Sequence, residues 1–213
     1  MINLWPVVYI LSPYETVRSQ ELVNEIKLVN LSVSIFKGEQ MRKFSEFPKD
    51  MTYNQGKRRS FGTQSIYISN ARFLEHVMNI PTGFGVLLVE DDVVLPRGWY
   101  NRFQNAILSA PISFDVLRFS HYCRTAGTKL NTCWATSGNG TRCGGAQAVM
   151  YNSGPIESNH RLLRMFRTTP VDHVDFVIHS KPDVLRSYVT ISNCNIGKHV
   201  FFRGSLRIKF GDR

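Results

Sequence analysis

Cysteine and long apolar runs are both scarce in this sequence. Only four of the 213 residues are cysteine, which is too few for a disulfide scaffold, and their spacing lacks the close pairs of a zinc site. We therefore expect reduced thiols, although Cys133 and Cys143 could approach each other across one loop. No apolar stretch nears the roughly 20 residues that span a bilayer, and the first residues lack the features of a signal peptide. The sequence predicts a cytoplasmic protein without a transmembrane segment.

Acidic residues are also few relative to basic ones. The chain has 26 Lys and Arg against 16 Asp and Glu, which gives a net charge of +10. Such a surface favours anionic partners, among them nucleic acid, an acidic membrane or a phosphorylated substrate. No interleaving of aromatic and basic residues resembles an RNA-binding sheet, and the basic cluster 57–59 fits a solvated loop better than a phosphate site. We expect no nucleic-acid partner.

The order of apolar patterns along the chain predicts an α/β fold in one domain, 1–213, which could be part of a longer chain. Strand patterns cover residues 5–11, 31–36, 86–89, 116–119, 146–151 and 184–192. Helical patterns cover residues 14–31, 66–78, 99–108, 157–166 and 171–179. Residues 38–62 and 123–145 are expected to be loops. Alternating strands and helices indicate a twisted, mostly parallel central sheet flanked by helices.

Three consecutive carboxylates, Glu90, Asp91 and Asp92, follow the apolar strand 86–89. In open α/β sheets, ligands bind beyond the carboxyl ends of the strands, where this run would lie. Neighbouring carboxylates repel one another unless a cation compensates, and their oxygens suit Mg²⁺ or Mn²⁺. We expect Asp92 to be the principal metal ligand, with Glu90 or Asp91 reaching a ribose or the metal through water. A solvated turn is the alternative.

Two further clusters could complete a site. Arg72, on the helix before the acidic strand, could hold phosphate or sugar hydroxyls, or could be an ordinary exposed arginine. Asp172 and Asp175 are spaced to share one helical face. Asp172 is our first candidate for a general base and Asp175 our second, although Asp172 could equally cap the helix.

These features resemble the GT-A class of nucleotide-sugar glycosyltransferases, whose acidic metal motif follows a buried strand. The details are nearest to the family 25 lipopolysaccharide and collagen glycosyltransferases. Their opening strand and arginine are similar to residues 8–12 with Arg18, their metal motif to residues 88–92, and their later glycine-started strand to residues 144–151. The glycine-cysteine and serine-histidine pairs of family 25 are here Gly62-Thr63 and Ser69-Asn70. Size and composition also resemble the capsid-decorating glycosyltransferases of large algal viruses, which would place the protein in a host cytoplasm.

The resemblance implies a division of the chain into a nucleotide-sugar half, about 1–95, and an acceptor half, about 96–213. Contacts to the donor are expected from Ser12, Pro13, Arg18, Arg72, Glu90, Asp91, Gly144 and Gly145. His179 would supply a late metal ligand, as in some GT-A enzymes, with His199 as the other candidate, and each could instead be a surface histidine. His121 and Tyr122 could line the acceptor side.

We therefore expect a monomeric enzyme that uses Mn²⁺ or Mg²⁺ and moves a hexose or deoxyhexose from a UDP-sugar to a glycan hydroxyl of a glycoprotein or other glycoconjugate. A nucleotidyltransferase is the alternative enzyme, but it normally has a glycine-rich loop after its first strand, and residues 12–15 contain no glycine. A basic module that binds nucleic acid or an acidic membrane is the alternative outside enzymes.

Overall fold

The structure is a computed structural model that describes residues 5–52, 59–78, 85–123, 127–137, 143–152, 156–179 and 185–199. Its strands are β1 (Val7–Ser12), β2 (Val33–Lys37), β3 (Val86–Glu90), β4 (Val93–Val94), β5 (Val116–Cys123), β6 (Trp134–Thr136), β7 (Cys143–Tyr151), β8 (Ser187–Thr190) and β9 (Lys198–His199). Its α-helices are α1 (Val17–Lys27), α2 (Phe61–Val77), α3 (Trp99–Leu108), α4 (Ile156–Thr168) and α5 (Val174–His179). Short 3-10 turns cover Phe44–Glu46 and Ser192–Cys194.

Seven strands form one sheet in the order β2-β1-β3-β7-β5-β8-β6, and β4 pairs with β9 separately. The pairs β1·β2, β1·β3 and β5·β8 are parallel, whereas β3·β7, β5·β7 and β6·β8 are antiparallel. As a result β1, β2, β3, β5 and β8 all run in one direction, and β6 and β7 oppose them. The expected α/β class, with a mostly parallel sheet flanked by helices, is confirmed.

The sheet is covered on both faces, which explains the apolar character of its central strands. Along β3, Val86 and Leu88 pack on one face with α2, α4 and α5, and Leu87 and Val89 pack on the other with α1 and α3. This alternation follows from the two-residue period of a strand. Glu90, the last residue of β3, continues the series on the side of α2 and α5.

Helix α2 begins five residues before the apolar pattern predicted. Ser60 is its N-cap, and the Ser60 hydroxyl accepts a hydrogen bond from the Thr63 amide at 3.2 Å. The cap therefore sets the start of the helix, because it satisfies an amide that has no partner inside the first turn. The early start brings Thr63 into the helix and places its first turn near the carboxyl ends of the strands.

The crossover from β1 to β2 runs through α1, and the crossover from β2 to β3 returns through α2 on the opposite face of the sheet. Strand order therefore reverses between β1 and β3. In open α/β sheets such a reversal leaves a crevice at the carboxyl ends of the two strands. The acidic run after β3 lies at this crevice.

The structure corrects three expectations. Residues 123–145 are not one structureless loop, because they include β6 and the first residues of β7, and both strands find partners distant in sequence. The strand expected over 184–192 is shorter, and it is followed by β9. The cysteines are not all reduced, since Cys133 and Cys194 form a disulfide with a Cα–Cα distance of 5.4 Å.

Within the described ranges, no helix has both the length and the apolar character that crossing a bilayer requires.

Candidate active site

The ends of β1 and β3 are joined by side chain and backbone at the point where strand order reverses. The Ser12 hydroxyl donates a hydrogen bond to Asp91 Oδ2 at 2.5 Å, and the Asp91 amide donates to the Leu11 carbonyl at 3.2 Å. Pro13, which follows, is buried. Residues 79 positions apart thus meet because β1 and β3 are parallel neighbours in the sheet. The structure brings the predicted Ser12, Pro13 and Asp91 to one place.

The ionisation of Asp91 reflects its crowded surroundings. Partial burial raises the pKa of its carboxyl, and the negative charge of Asp92 raises it further. The hydrogen bond from Ser12 and the positive charge of Arg18 act in the other direction, and the net result is a raised pKa. Burial, reinforced by the adjacent charge of Asp92, therefore makes ionisation of Asp91 more difficult here than in water.

Arg18 lies on the α1 side of this crevice. Its guanidinium donates to the Val93 carbonyl at 3.4 Å, just after the acidic run. Beside it, a cavity of about 470 Å³ opens between α1 and the β4 segment, with Leu22, Val93 and Leu95 among its apolar lining residues. Glu21 and Glu25 also line it. The predicted Arg18 thus lies next to both the carboxylates and a cavity large enough for a small ligand.

Glu90 faces a second, smaller cavity on the other side of the sheet. This cavity has a volume of about 20 Å³ and is lined by Glu90 together with Thr63, Ile66, Ala146, His173, Val174 and Asp175. Neighbouring residues on an extended backbone point to opposite faces, which is why Glu90 and Asp91 diverge. The side chains of the acidic run therefore lie at two different places. Asp91 contacts Ser12, and Glu90 lines a cavity together with Asp175.

Gly145, near the start of β7, makes hydrogen bonds to side chains through both its amide and its carbonyl. Its amide donates to Asp175 Oδ2 at 3.0 Å, and its carbonyl accepts a hydrogen bond from the Arg118 guanidinium. Its φ of 90° lies in the region that favours glycine, and a Cβ here would meet Gln147 Oε1 at 2.5 Å. The backbone of Gly145 thus contacts Asp175 and Arg118, and the expected contact of this glycine with the donor stays a prediction.

Arg118 was not among the predicted site residues. It is fully buried in β5, between the apolar residues Leu117 and Phe119. A charged residue inside an apolar strand is the signal that could have identified it, because a buried guanidinium needs partners to offset its desolvation. The carbonyl of Gly145 is one such partner.

Asp172, the first candidate for a general base, is engaged in an ion pair. Its Oδ1 lies 2.6 Å from Arg59 Nη2 and accepts from the His173 amide at 2.7 Å. Burial disfavours its charged form, but the hydrogen bonds from Arg59 and His173 outweigh burial and lower its pKa. A lower pKa makes a carboxylate a weaker base. The carboxylate of Asp172 is therefore already engaged by Arg59 and His173, and its role as a general base stays a prediction.

Arg72 does not join the other predicted residues. Its guanidinium pairs with Glu75 at 2.9 Å and with Asp50 at 3.3 Å, and Arg167 shares both of these carboxylates. This network ties α2 to α4 and to the segment around Asp50. The structure thus places Arg72 in an ion network between α2 and α4, and the expectation that it touches the donor stays a prediction.

The remaining predicted residues are placed only by their backbones. Gly144 pairs with Tyr122 between β7 and β5, and His199 pairs with Val93 between β9 and β4. His179 is the last residue of α5. The side chains of His121, Tyr122, His179 and His199 lie outside the described part of the structure, and their roles stay predictions.

The oxygen donors at the crevice fit a divalent cation of the magnesium type. Among the described residues there is no group of three or more His, Cys, Asp or Glu side chains that could hold a metal alone. Mg²⁺ usually binds through one or two carboxylates and completes its shell with waters and substrate phosphates. The adjacent carboxylates Asp91 and Asp92 match this mode, in which the substrate supplies the missing ligands.

No protein-family model matches the sequence, and no curated protein matches it. One similar solved structure is described as the crystal structure of a glycosyltransferase involved in the glycosylation of the major capsid of PBCV-1. The likeness covers 86% of this chain and 82% of that chain, with 13% identity and a TM-score of 0.48. No residue role, substrate or activity follows from a likeness at this level.

Proposed function

We propose that this chain is a glycosyltransferase that moves a hexose or deoxyhexose from a UDP-sugar to a glycan hydroxyl of a glycoprotein or other glycoconjugate. The observation that carries the proposal is the contact between Ser12 and Asp91 at the reversal of strand order, with Asp92 next in the chain. Nucleotide ligands bind at such crevices in open α/β sheets. Adjacent carboxylates at that position suit a diphosphate that arrives with a divalent cation.

Asp92, with Asp91 beside it, would hold Mn²⁺ or Mg²⁺ in this proposal. When bound, the ion supplies neutralisation of the negative charge that develops on the departing diphosphate. Arg18 adds a positive charge on the same side, because its guanidinium donates to the Val93 carbonyl just after the acidic run. Its charge is close enough to Asp91 to oppose the rise in the pKa of that carboxyl. Ser12 orients the Asp91 carboxylate, and Pro13 follows it at the wall of the crevice.

We assign the two carboxylates that line the small cavity, Glu90 and Asp175, to the acceptor side. Asp175 and Glu90 both line it, and the Gly145 amide fixes the orientation of the Asp175 carboxylate. A carboxylate positioned in this way can accept a hydrogen bond, or a proton, from an attacking hydroxyl. We therefore assign Asp175 as the candidate base or acceptor-binding group and Glu90 as its neighbour, in place of Asp172.

Calorimetry with UDP tests the donor site. The wild type is titrated with and without Mn²⁺, beside Asp92→Asn and the control Asp50→Asn, which alters an exposed carboxylate in the α2–α4 ion network. Mn²⁺-dependent UDP affinity should fall more than about 100-fold in Asp92→Asn, because even outer-shell partners of a metal cost about 10- to 100-fold. It should be unchanged in Asp50→Asn. Equal Mn²⁺-dependent affinity in all three proteins would exclude the Asp92 assignment.

Turnover distinguishes the proposal from its alternatives. Release of UDP from a nucleotide sugar, accelerated by a glycan acceptor, is expected of the glycosyltransferase. Release of pyrophosphate from a nucleoside triphosphate would indicate a nucleotidyltransferase instead. Binding to polyanions that weakens steeply with salt and ignores Mn²⁺ would indicate a basic binding module.

A further inference from the structure

We propose that Cys123 and Cys143 form a second disulfide, so that all four cysteines of the chain are paired. The two residues are directly opposite each other in the antiparallel pair β5·β7. Opposed residues in such a pair have Cα atoms about 4.5 to 5.5 Å apart. A disulfide requires about 4.4 to 6.8 Å. The observed bridge between Cys133 and Cys194, at 5.4 Å, lies in the same range.

Irregularities in the strand pairing set the two cysteines opposite each other. If the register of Val116–Arg118 continued unchanged along β5, Cys123 would be opposite Gly144. The register instead shifts between Arg118 and Ser120 and again between Ser120 and Tyr122, after which Cys123 is opposite Cys143. The pairing of these two residues is therefore a product of the folded sheet and not of a regular ladder.

The two bridges would fix one segment of the chain, residues 124–142, called the excursion below, at two points. Cys123 and Cys143 enclose residues 124–142, which include β6, so their bond would close the excursion at its base. Cys133 lies inside this excursion and is bonded to Cys194, 61 residues further along the sequence. The Ile191 amide also donates to the Cys133 carbonyl at 2.8 Å. The base of the excursion adjoins Gly144 and Gly145, so the second bridge would also fix the strand end that contacts Asp175.

The bridge forms by oxidation, and a disulfide oxidant such as oxidised glutathione balances the reaction. The thiolate of one cysteine attacks the oxidant's disulfide and releases one glutathione thiol. The thiolate of the other cysteine then displaces the second glutathione, so two thiols lose two protons and two electrons in total. Two bridges in one chain indicate folding in an oxidising environment, which argues against the cytoplasmic location that the sequence predicted.

Differential alkylation tests the pairing in the full chain, folded with reduced and oxidised glutathione. Free thiols are blocked in denaturant without reductant, the protein is digested, and linked peptides are identified by mass spectrometry. We expect no blocked cysteine and two linked pairs, Cys123 with Cys143 and Cys133 with Cys194. Blocked Cys123 and Cys143 beside an intact Cys133–Cys194 pair would overturn the proposal, and so would a link between Cys133 and Cys143.

Two serine variants provide matched controls. Cys143→Ser should expose one thiol, at Cys123, and Cys194→Ser should expose one thiol, at Cys133. Closing a loop of about 20 residues restricts the unfolded chain, so Cys143→Ser should lower Tm by roughly 10 °C. An unchanged Tm, together with a free-thiol count that falls from two in the wild type to one in Cys143→Ser, would contradict the second bridge. The peptide map of the wild type decides the question even if a variant fails to fold.

Discussion

Two aspartates at opposite ends of the sheet differ in their burial and in the charges around their carboxylates. Asp115, just before β5 at the amino end, is completely buried. It accepts hydrogen bonds from Arg161 at 3.0 Å and from the Arg186 backbone amide at 2.8 Å, and the Arg186 guanidinium also contacts it. Asp91, just after β3 at the carboxyl end, accepts from Ser12 and has the like charge of Asp92 beside it.

The difference separates a structural carboxylate from a candidate ligand-binding one. At the amino end, the chain's own guanidinium groups offset the cost of burying a charge. At the carboxyl end, burial and then the charge of Asp92 raise the pKa of Asp91, and a bound cation would offset this cost of ionisation. Uncompensated like charges lower the stability of a fold, and such departures are expected at functional sites, where a ligand can compensate them.

The largest expected effect on stability concerns Asp115. Asp115→Asn removes the charge between two arginines and should lower the free energy of unfolding by about 3 kcal/mol, since breaking a buried pair is strongly destabilising. Urea denaturation measures this. Asp92→Asn is the comparison at the other end and should change stability by less than about 0.5 kcal/mol, because it relieves like-charge repulsion. Equal losses in both variants would refute the distinction between the two ends.

Gly145→Ala should cost about 2 kcal/mol in unfolding free energy. Alanine at a φ of 90° is strained, and its Cβ would crowd Gln147. Gly98 is the matched control, because its φ is 75° and a Cβ there meets no atom within 4 Å. Gly98→Ala should therefore cost only about 1 kcal/mol, the strain alone. A larger loss in Gly98→Ala, measured by the same denaturation, would contradict the crowding at Gly145.

Ser12→Ala should cost about 1 kcal/mol, the net value of one hydrogen bond between the ends of β1 and β3. Because that bond lowers the pKa of Asp91, its loss should raise this pKa further. Carbon-detected NMR titration of the aspartate carboxyl groups measures the shift. Ser109→Ala, which removes an exposed hydroxyl at the end of α3, should leave the Asp91 titration unchanged. A lowered Asp91 pKa in Ser12→Ala would contradict the contact.

The smallest loss expected from breaking a contact belongs to the ion pair of Arg59 and Asp172. The folded-state pKa of Asp172 is below its ordinary value near 3.9, so its contribution is present above that value and is lost as pH falls through the folded-state pKa. Asp172→Asn should cost about 0.5 to 1 kcal/mol at neutral pH. The difference from the wild type should vanish in acid. Denaturation curves taken from about pH 7 down to below the folded-state pKa of Asp172 test this, and a difference that stays constant over that whole range would contradict it.

Much of the fold could be predicted because its signals are local. The apolar run of β3 and the helical spacing of α3, which has the predicted bounds Trp99–Leu108, needed no tertiary information. The short strands β6 and β9 could not be predicted, because their pairing partners are distant and their own sequences carry little pattern. The cap at Ser60, rather than periodicity, decided the start of α2.

The candidate site divides in the same way. The carboxylates of the acidic run and their position at a strand end follow from the sequence alone, because strand and acids are contiguous. The resemblance placed Ser12 and Asp91 at the same donor site, but the hydrogen bond between them, 79 positions apart, depends on the parallel pairing of β1 and β3 in the folded sheet. Tertiary structure likewise decided three other contacts: the ion pair of Arg59 with Asp172, the ion network around Arg72, and the disulfide between Cys133 and Cys194. Residue type fixes what a side chain can bind, but distance in space decides which partner it meets.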